Sequence, residues 1–195
     1  MTVIKLIESL SKFFDLQDDM SFLLSSGSLE NETEKGKAEF YKIVLSINNT
    51  CEYLASFEKF CLLNSEQVAV ENGEINLSLL QNRFYKLIKL TNVIDKRLKC
   101  DLTNKKLILK DKSVSLANIV YSYLPSVVSN PEDNIDINLS ITNKTFLMGV
   151  MANYCFVCGL FDDGFMYQEI FEKELSEIGS KKIKGFVMPN HKRWE

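Results

Sequence analysis

The sequence predicts an α+β protein: an N-terminal antiparallel helical hairpin followed by a small layer of helices and strands. Three observations point there. Apolar residues over the first 63 positions recur at steps of three and four, the helical period. Residues 135–141 alternate between apolar and polar, the strand period. Eight glycines and three prolines in 195 residues leave little material for long linkers.

The first helical seam runs through Val3, Leu6, Leu10, Phe13, Met20 and Leu24, passes over the polar Gln17, and is widened by Ile7 and Phe14. Such a seam belongs to a helix lying along a partner helix. Ser25-Ser26-Gly27-Ser28 stops it and Asn31-Glu32-Thr33-Glu34 starts the next. Thr33 can accept from the exposed first-turn amides, and Glu34 sits at the positive end of the helix dipole. The second seam is Phe40, Val44, Ile47, Cys51, Leu54 and Cys61, with Tyr41, Leu45, Ala55 and Leu62 beside it. Two such helices joined by a short polar loop pack antiparallel. Their apolar faces are too wide to cover each other. The simplest cover is a second copy, giving a homodimeric four-helix bundle sealed by Leu6, Leu10, Phe13, Met20, Leu24, Val44, Ile47 and Leu54.

A polar stretch containing Asn72-Gly73 places a domain boundary between residues 64 and 76, dividing the chain into 1–66 and 67–195. Leu79, Leu80, Phe84, Leu87, Ile88, Val93 and Ile94 then make a helical stripe. Residues 98–102 and 106–110 read as a strand pair around a Thr103-Asn104-Lys105 turn. Ser113 can cap a helix through Leu116, Ile119, Val120, Tyr123 and Val127, with Pro125 ending or kinking it. Residues 135–141 form a half-buried strand and 145–161 a buried helix, which Asp162-Asp163-Gly164 turns. Residues 165–171 and 182–188 read as two last strands, and the tail from Pro189 as frayed. Helices on one face of a mainly antiparallel or mixed sheet satisfy this order.

Composition bounds the function. The chain is 46% hydrophobic and 25% charged, carries a formal net charge of -3 and shows no basic stripe, which disfavours nucleic acid. No signal peptide or membrane span is legible: the first segment carries Asp15, Asp18 and Asp19, and the apolar run 146–161 is short and contains Asn153. Five cysteines, odd in number and set in apolar patterns, read as reduced thiols packed as small hydrophobes in a cytoplasmic protein.

No residue set carries catalysis. The only histidine, His191, sits in a polar tail without a packed setting. Cys155 and Cys158 form a C-x-x-C inside an apolar helix, where a redox pair would need an exposed helix start and a zinc site a second ligand pair. Asp162-Asp163-Gly164 lacks the second glycine of a nucleotide box, and no phosphate-cradling or nucleophile-elbow motif is present. Asp15, Asp18 and Asp19 read as a solvated face in preference to a cation site. No catalytic residue, metal or cofactor is expected.

A helical hairpin followed by a small α+β domain is the layout of histidine-kinase cores, and this chain resembles the ChpT-type histidine phosphotransferases. Those keep the dimerising hairpin and an ATPase-like domain that no longer binds ATP. Their first helix carries an apolar run, then His-Asp, an apolar residue, a polar residue and proline. Here the stretch reads Leu10-Ser11-Lys12-Phe13-Phe14-Asp15-Leu16-Gln17-Asp18-Asp19. Asp15 matches the aspartate, and Phe14 stands where the phospho-accepting histidine belongs. The segments 113–140, 145–159, 165–171 and 182–188 resemble the end of the degenerate ATPase-like domain, and the chain is shorter in the sheet and lid region. Phosphotransfer needs an imidazole nitrogen, which phenylalanine lacks. The resemblance therefore implies an adaptor that binds a receiver domain without carrying phosphate, through Phe14, Asp15, Gln17, Asp18 and Ser21. The alternative is a structural or protein-interaction α+β scaffold unrelated to phosphorelays, its hairpin binding a helical partner.

Overall fold

Helix α1 runs only from Val3 to Phe13, because the chain turns left-handed at Asp15, with φ of 55°. The Leu16 amide donates back to the Ser11 carbonyl at 2.9 Å, the closing bond of a Schellman turn. The seam expected to continue through Met20 and Leu24 is broken there, and a separate short helix α2 (Ser21–Ser26) follows. In this computed structural model, which describes residues 1–180, the chain continues as α3 (Glu34–Ser56), β1 (Leu62–Ala69), β2 (Glu74–Asn76), β3 (Phe84–Asn92), β4 (Cys100–Leu102), β5 (Lys106–Leu109), β6 (Leu116–Tyr123), α4 (Asn143–Val157) and α5 (Phe161–Ser180). The expected strand 182–188, the tail and His191 lie outside the described residues. The fold is α+β with small antiparallel sheets.

Thr33 caps α3 as expected, its hydroxyl accepting from the Gly36 amide at 2.9 Å, and Glu34 sits in the first turn. The apolar faces of α1 and α3 are covered, but by the same chain. Val3, Leu6, Ile7, Leu10, Met20, Leu23, Phe40, Val44, Ile47 and Leu54 share one core with Phe146, Val150, Met151 and Tyr154 of α4 and Phe171 and Leu175 of α5. Six residues expected to seal a dimer (Leu6, Leu10, Met20, Val44, Ile47, Leu54) are thus buried within a single chain. Leu24 is partly buried against the same core, and Phe13 faces solvent. The second copy that the sequence called for is replaced by α4 and α5.

The close approach of these helices depends on Gly149. A Cβ there would stand 2.8 Å from Thr50 Cγ2 and 2.8 Å from Phe171 Cζ. Asn153 bridges the same crossing, donating from Nδ2 to Thr50 Oγ1 at 3.0 Å and to the Gly149 carbonyl at 3.1 Å.

The expected boundary at 64–76 falls largely within and just after β1. Residues 62–123, which follow α3 and precede α4 in the chain, instead form a separate layer: sheet β1-β6-β3 faces sheet β2-β5-β4 across a second core of Val70, Ile75, Leu90, Leu107, Leu109, Ile119 and Tyr121. Asn72 and Gly73, both at positive φ, turn the chain from the first sheet to the second, where Glu71 and Glu74 exchange backbone hydrogen bonds. The Thr103–Lys105 turn joins β4 to β5 as read.

Four expectations for this half are corrected. The stripe from Leu79 to Ile94 is a 3-10 turn and strand β3, not a helix. Two register shifts in β3 bring Phe84, Leu87 and Leu90 to the core at steps of three, which imitates a helical period. The helix read from Ser113 is strand β6, the central strand of its sheet; opposite the buried Ala117, Ile119 and Tyr121 its other face mixes Leu116 and Val120 with Asn118 and Ser122, which masks the period of two. Residues 135–141 pair with no long strand: Ile135 and Ile141 plug the helical core while Leu139 is fully exposed. Residues 165–171 lie in α5, whose first turn holds Asp162 and Asp163, where the dipole favours them; the turn before it is made by Gly159 at φ 77°.

Loop 125–135 ties the N-terminus down. Val3 and Ile4 amides donate to the Asp133 and Pro131 carbonyls, the Ile135 amide donates to the Met1 carbonyl, and Asn48 clamps Val128 with paired amide bonds of 3.0 Å. The Asp133 carboxylate accepts from the Ser129 and Asn130 amides, and these two bonds lower its pKa. A folded pKa below the unfolded value adds stability above roughly pH 4 that is lost as the pH falls through the depressed value. Asp133→Asn should therefore weaken the acid dependence of unfolding below that pH, measured by urea titration across the acid range. Leu10→Asp places an unpaired charge in the helical core and should cost about 4 kcal/mol or more. The urea midpoint should fall by the same amount at low and high protein concentration; a stably folded variant that merely dissociates would contradict a core closed within one chain.

Candidate functional site

Of the five residues expected to face a partner, Asp15, Gln17 and Asp18 are exposed on the polar turn after α1, Ser21 is exposed at the start of α2, and Phe14 is half-buried. The Phe14 ring lies 4.8 Å from Tyr154 of α4 and 6.4 Å from Tyr167 of α5, centroid to centroid. It holds the end of α1 against the helical layer. Asp19 of the turn pairs with Lys35 at 2.8 Å, and the buried Glu32 carboxylate accepts from the Leu23 amide of α2 at 2.6 Å and the Thr33 amide at 2.9 Å. Glu32 thus serves two helix starts at once, a role its place beside the capping threonine did not reveal.

Behind Phe14 lies a polar cluster that the sequence did not disclose. The Tyr154 hydroxyl donates to Glu39 Oε2 at 2.7 Å, and Lys42 Nζ donates to Glu39 Oε1 at 2.8 Å. Burial, and then the bond to Glu39, pushes the Tyr154 hydroxyl well above its ordinary pKa; the bond to Glu39 also raises that of Lys42. Both groups therefore keep their protons through neutral pH, and the cluster holds charge in place instead of moving a proton. Glu39 and Lys42 share one helix at spacing three, but Tyr154 is 115 positions from Glu39, a distance no local pattern spans.

The C-x-x-C falls at the end of α4, with Cys158 as its C-cap. All five cysteines are free, and burial pushes the Cys155 thiol up to about 11 and the Cys51 thiol up to about 12. These two are packing thiols, not activated nucleophiles. Among the described residues no group of three His, Cys, Asp or Glu is placed to hold a metal ion. No helix there is long and apolar enough to cross a membrane.

An apolar exposed surface lies at the corner where α4 turns into α5. Phe161 and Phe165 are 61% and 65% exposed, with Val157 and Leu160 beside them in sequence. The corner is well built. The Phe156 ring lies over Gly164, where a Cβ would come within 2.6 Å of it, and meets Phe165 edge-on at 5.3 Å. Asp162, Asp163 and Glu169 are exposed on the same helix. Reading residues 165–171 as a strand scattered these aromatics, whereas the helix gathers Phe161 and Phe165 one turn apart.

No protein-family model matches the sequence, and no curated protein matches it. Tyr154→Phe should cost about 1–3 kcal/mol, because it leaves the Glu39 carboxylate short of a donor in a half-closed site. Chemical denaturation checks this; an unchanged midpoint would show that the bond contributes nothing.

Proposed function

We propose that this protein is a binding scaffold for another protein, engaged through the aromatic corner at the α4–α5 turn. The observation that carries the reading is the exposure of Phe161 and Phe165 on a corner fixed from beneath by Phe156 and Gly164. Aromatic side chains held rigid at a surface lose little freedom on binding and dominate interface energetics. The acids at the start of α5 select a partner with an apolar patch rimmed by lysine or arginine.

The receiver-binding adaptor remains the second reading, centred on Phe14. What faces solvent there is the polar turn of Asp15, Gln17 and Asp18, with Ser21 after it, while the Phe14 ring is engaged by Tyr154 and Tyr167. That balance favours the general scaffold over a phosphorelay role.

The test compares wild type, Phe161→Asp with Phe165→Asp, and Phe14→Ala. Proteins retained by the immobilised full chain are identified, purified and titrated against each version. The reading expects a partner whose Kd weakens at least about tenfold in the corner variant and is unchanged in Phe14→Ala. A partner indifferent to the corner would overturn it. If that partner were a receiver domain lost with Phe14→Ala, the adaptor reading would take its place.

A further inference from the structure

The two facing sheets of the β layer leave two open sides, and their charges are opposite. On the side between β1 and β2, a groove of about 460 Å³ is lined by Glu66, Glu71 and Glu74, with Lys106 already paired to Glu74. On the side between β3 and β4, a groove of about 580 Å³ has an aliphatic lining that includes Ile88, Leu90 and Leu98. Its rim carries Lys89, Arg97, Lys99 and Lys110. Lys89 is paired with Asp95 at 2.8 Å, whereas Arg97, Lys99 and Lys110 have no carboxylate within ion-pair distance among the described residues. In a chain of formal net charge -3, this is a local concentration of free cations.

The same groove exposes unpaired backbone. β3 is the edge of one sheet and β4 the edge of the other. The end of β3 pairs with residues 96–98, which lead into β4: the Leu98 amide donates to the Leu90 carbonyl and the Asn92 amide to the Lys96 carbonyl, both at 2.9 Å. Beyond that join, toward Phe84, no strand among the described residues lies on the far side of β3. An aliphatic floor, a free strand edge and unpaired cations together match one ligand chemistry. We propose that this side of the β layer binds an extended acidic peptide segment of another protein, which adds to β3 as a strand and sets its carboxylates against Arg97, Lys99 and Lys110. The groove lining contains no aromatic side chain, so it lacks the stacking platform a single-stranded nucleic acid needs. This site lies in the β layer and stands or falls independently of the α4–α5 corner.

Lysines on an edge strand can also serve merely to keep sheets apart, and the test separates the two roles. The probe is a short fluorescein-labelled peptide alternating glutamate and valine, titrated into the full chain and followed by anisotropy. The proposal expects saturable binding that survives in the Phe161→Asp, Phe165→Asp variant. Binding should weaken at least about tenfold with Arg97→Glu, Lys99→Glu and Lys110→Glu together. Methylating alternate backbone nitrogens of the peptide, which keeps its charges but removes its strand donors, should weaken binding as much with the protein unaltered. A peptide alternating lysine and valine should not bind. Equal binding of the methylated peptide would overturn strand addition, and equal binding by the charge-reversed chain would overturn the site. Tighter binding of oligothymidylate than of the acidic peptide would assign the groove to nucleic acid instead. Self-association of the wild type, abolished by the charge reversals, would assign it to the acidic side of a second copy.

Discussion

The helical layer depends on one crossing. At Gly149 the backbone of α4 lies so close to Thr50 of α3 and Phe171 of α5 that no side chain fits between them. Thr50, fully buried, donates its hydroxyl to the Ser46 carbonyl at 2.7 Å and accepts from Asn153, so the polar atoms at the contact are satisfied within it. With the three helices this close, α4 and α5 cover the apolar faces that α1 and α3 leave open. A residue without a side chain thereby decides whether the first 56 residues need a partner.

The β layer follows α3 and precedes α4 in the chain and has its own core. Tyr121 anchors it: its ring is fully buried against Phe84, and its hydroxyl donates to Glu66 and accepts from the Asn64 side chain and the Asn82 amide. This explains why β1 turns Asn64 and Glu66 inward at positions where an apolar residue would be expected. The layers meet through few contacts, including the Glu58–Lys86 ion pair and an Asn138 side chain donating to the Cys61 carbonyl. The two proposed binding surfaces lie on different layers.

Local chemistry was legible in the sequence wherever one short stretch determines the outcome. Thr33 as a cap, the Asn72-Gly73 turn, the β4–β5 turn and the apolar α4 all stand where their residues put them. Two kinds of feature were not legible. β-bulges in β3 turned a strand into an imitation of a helical stripe, and a central strand hid its alternation. Long-range coverage was invisible too: nothing in residues 3–54 says that their partner lies beyond residue 143 of the same chain, so a second copy was the economical guess. The Phe14 site suffered in the same way. The sequence reads through its turn as continuous helix because Phe13, Met20 and Leu24 keep the apolar phase across Gln17, while Asp15 takes a left-handed conformation that this residue type adopts only occasionally.

Hydrogen exchange on full-length Gly149→Val tests the central claim most directly. If α4 and α5 are the cover for α1 and α3, forcing a side chain into the crossing should remove amide protection from all four helices together, because their core is one cooperative unit. Protection retained in α1 and α3 while α4 and α5 exchange freely would mean that the N-terminal helices are held by something other than the rest of this chain, and would contradict the account.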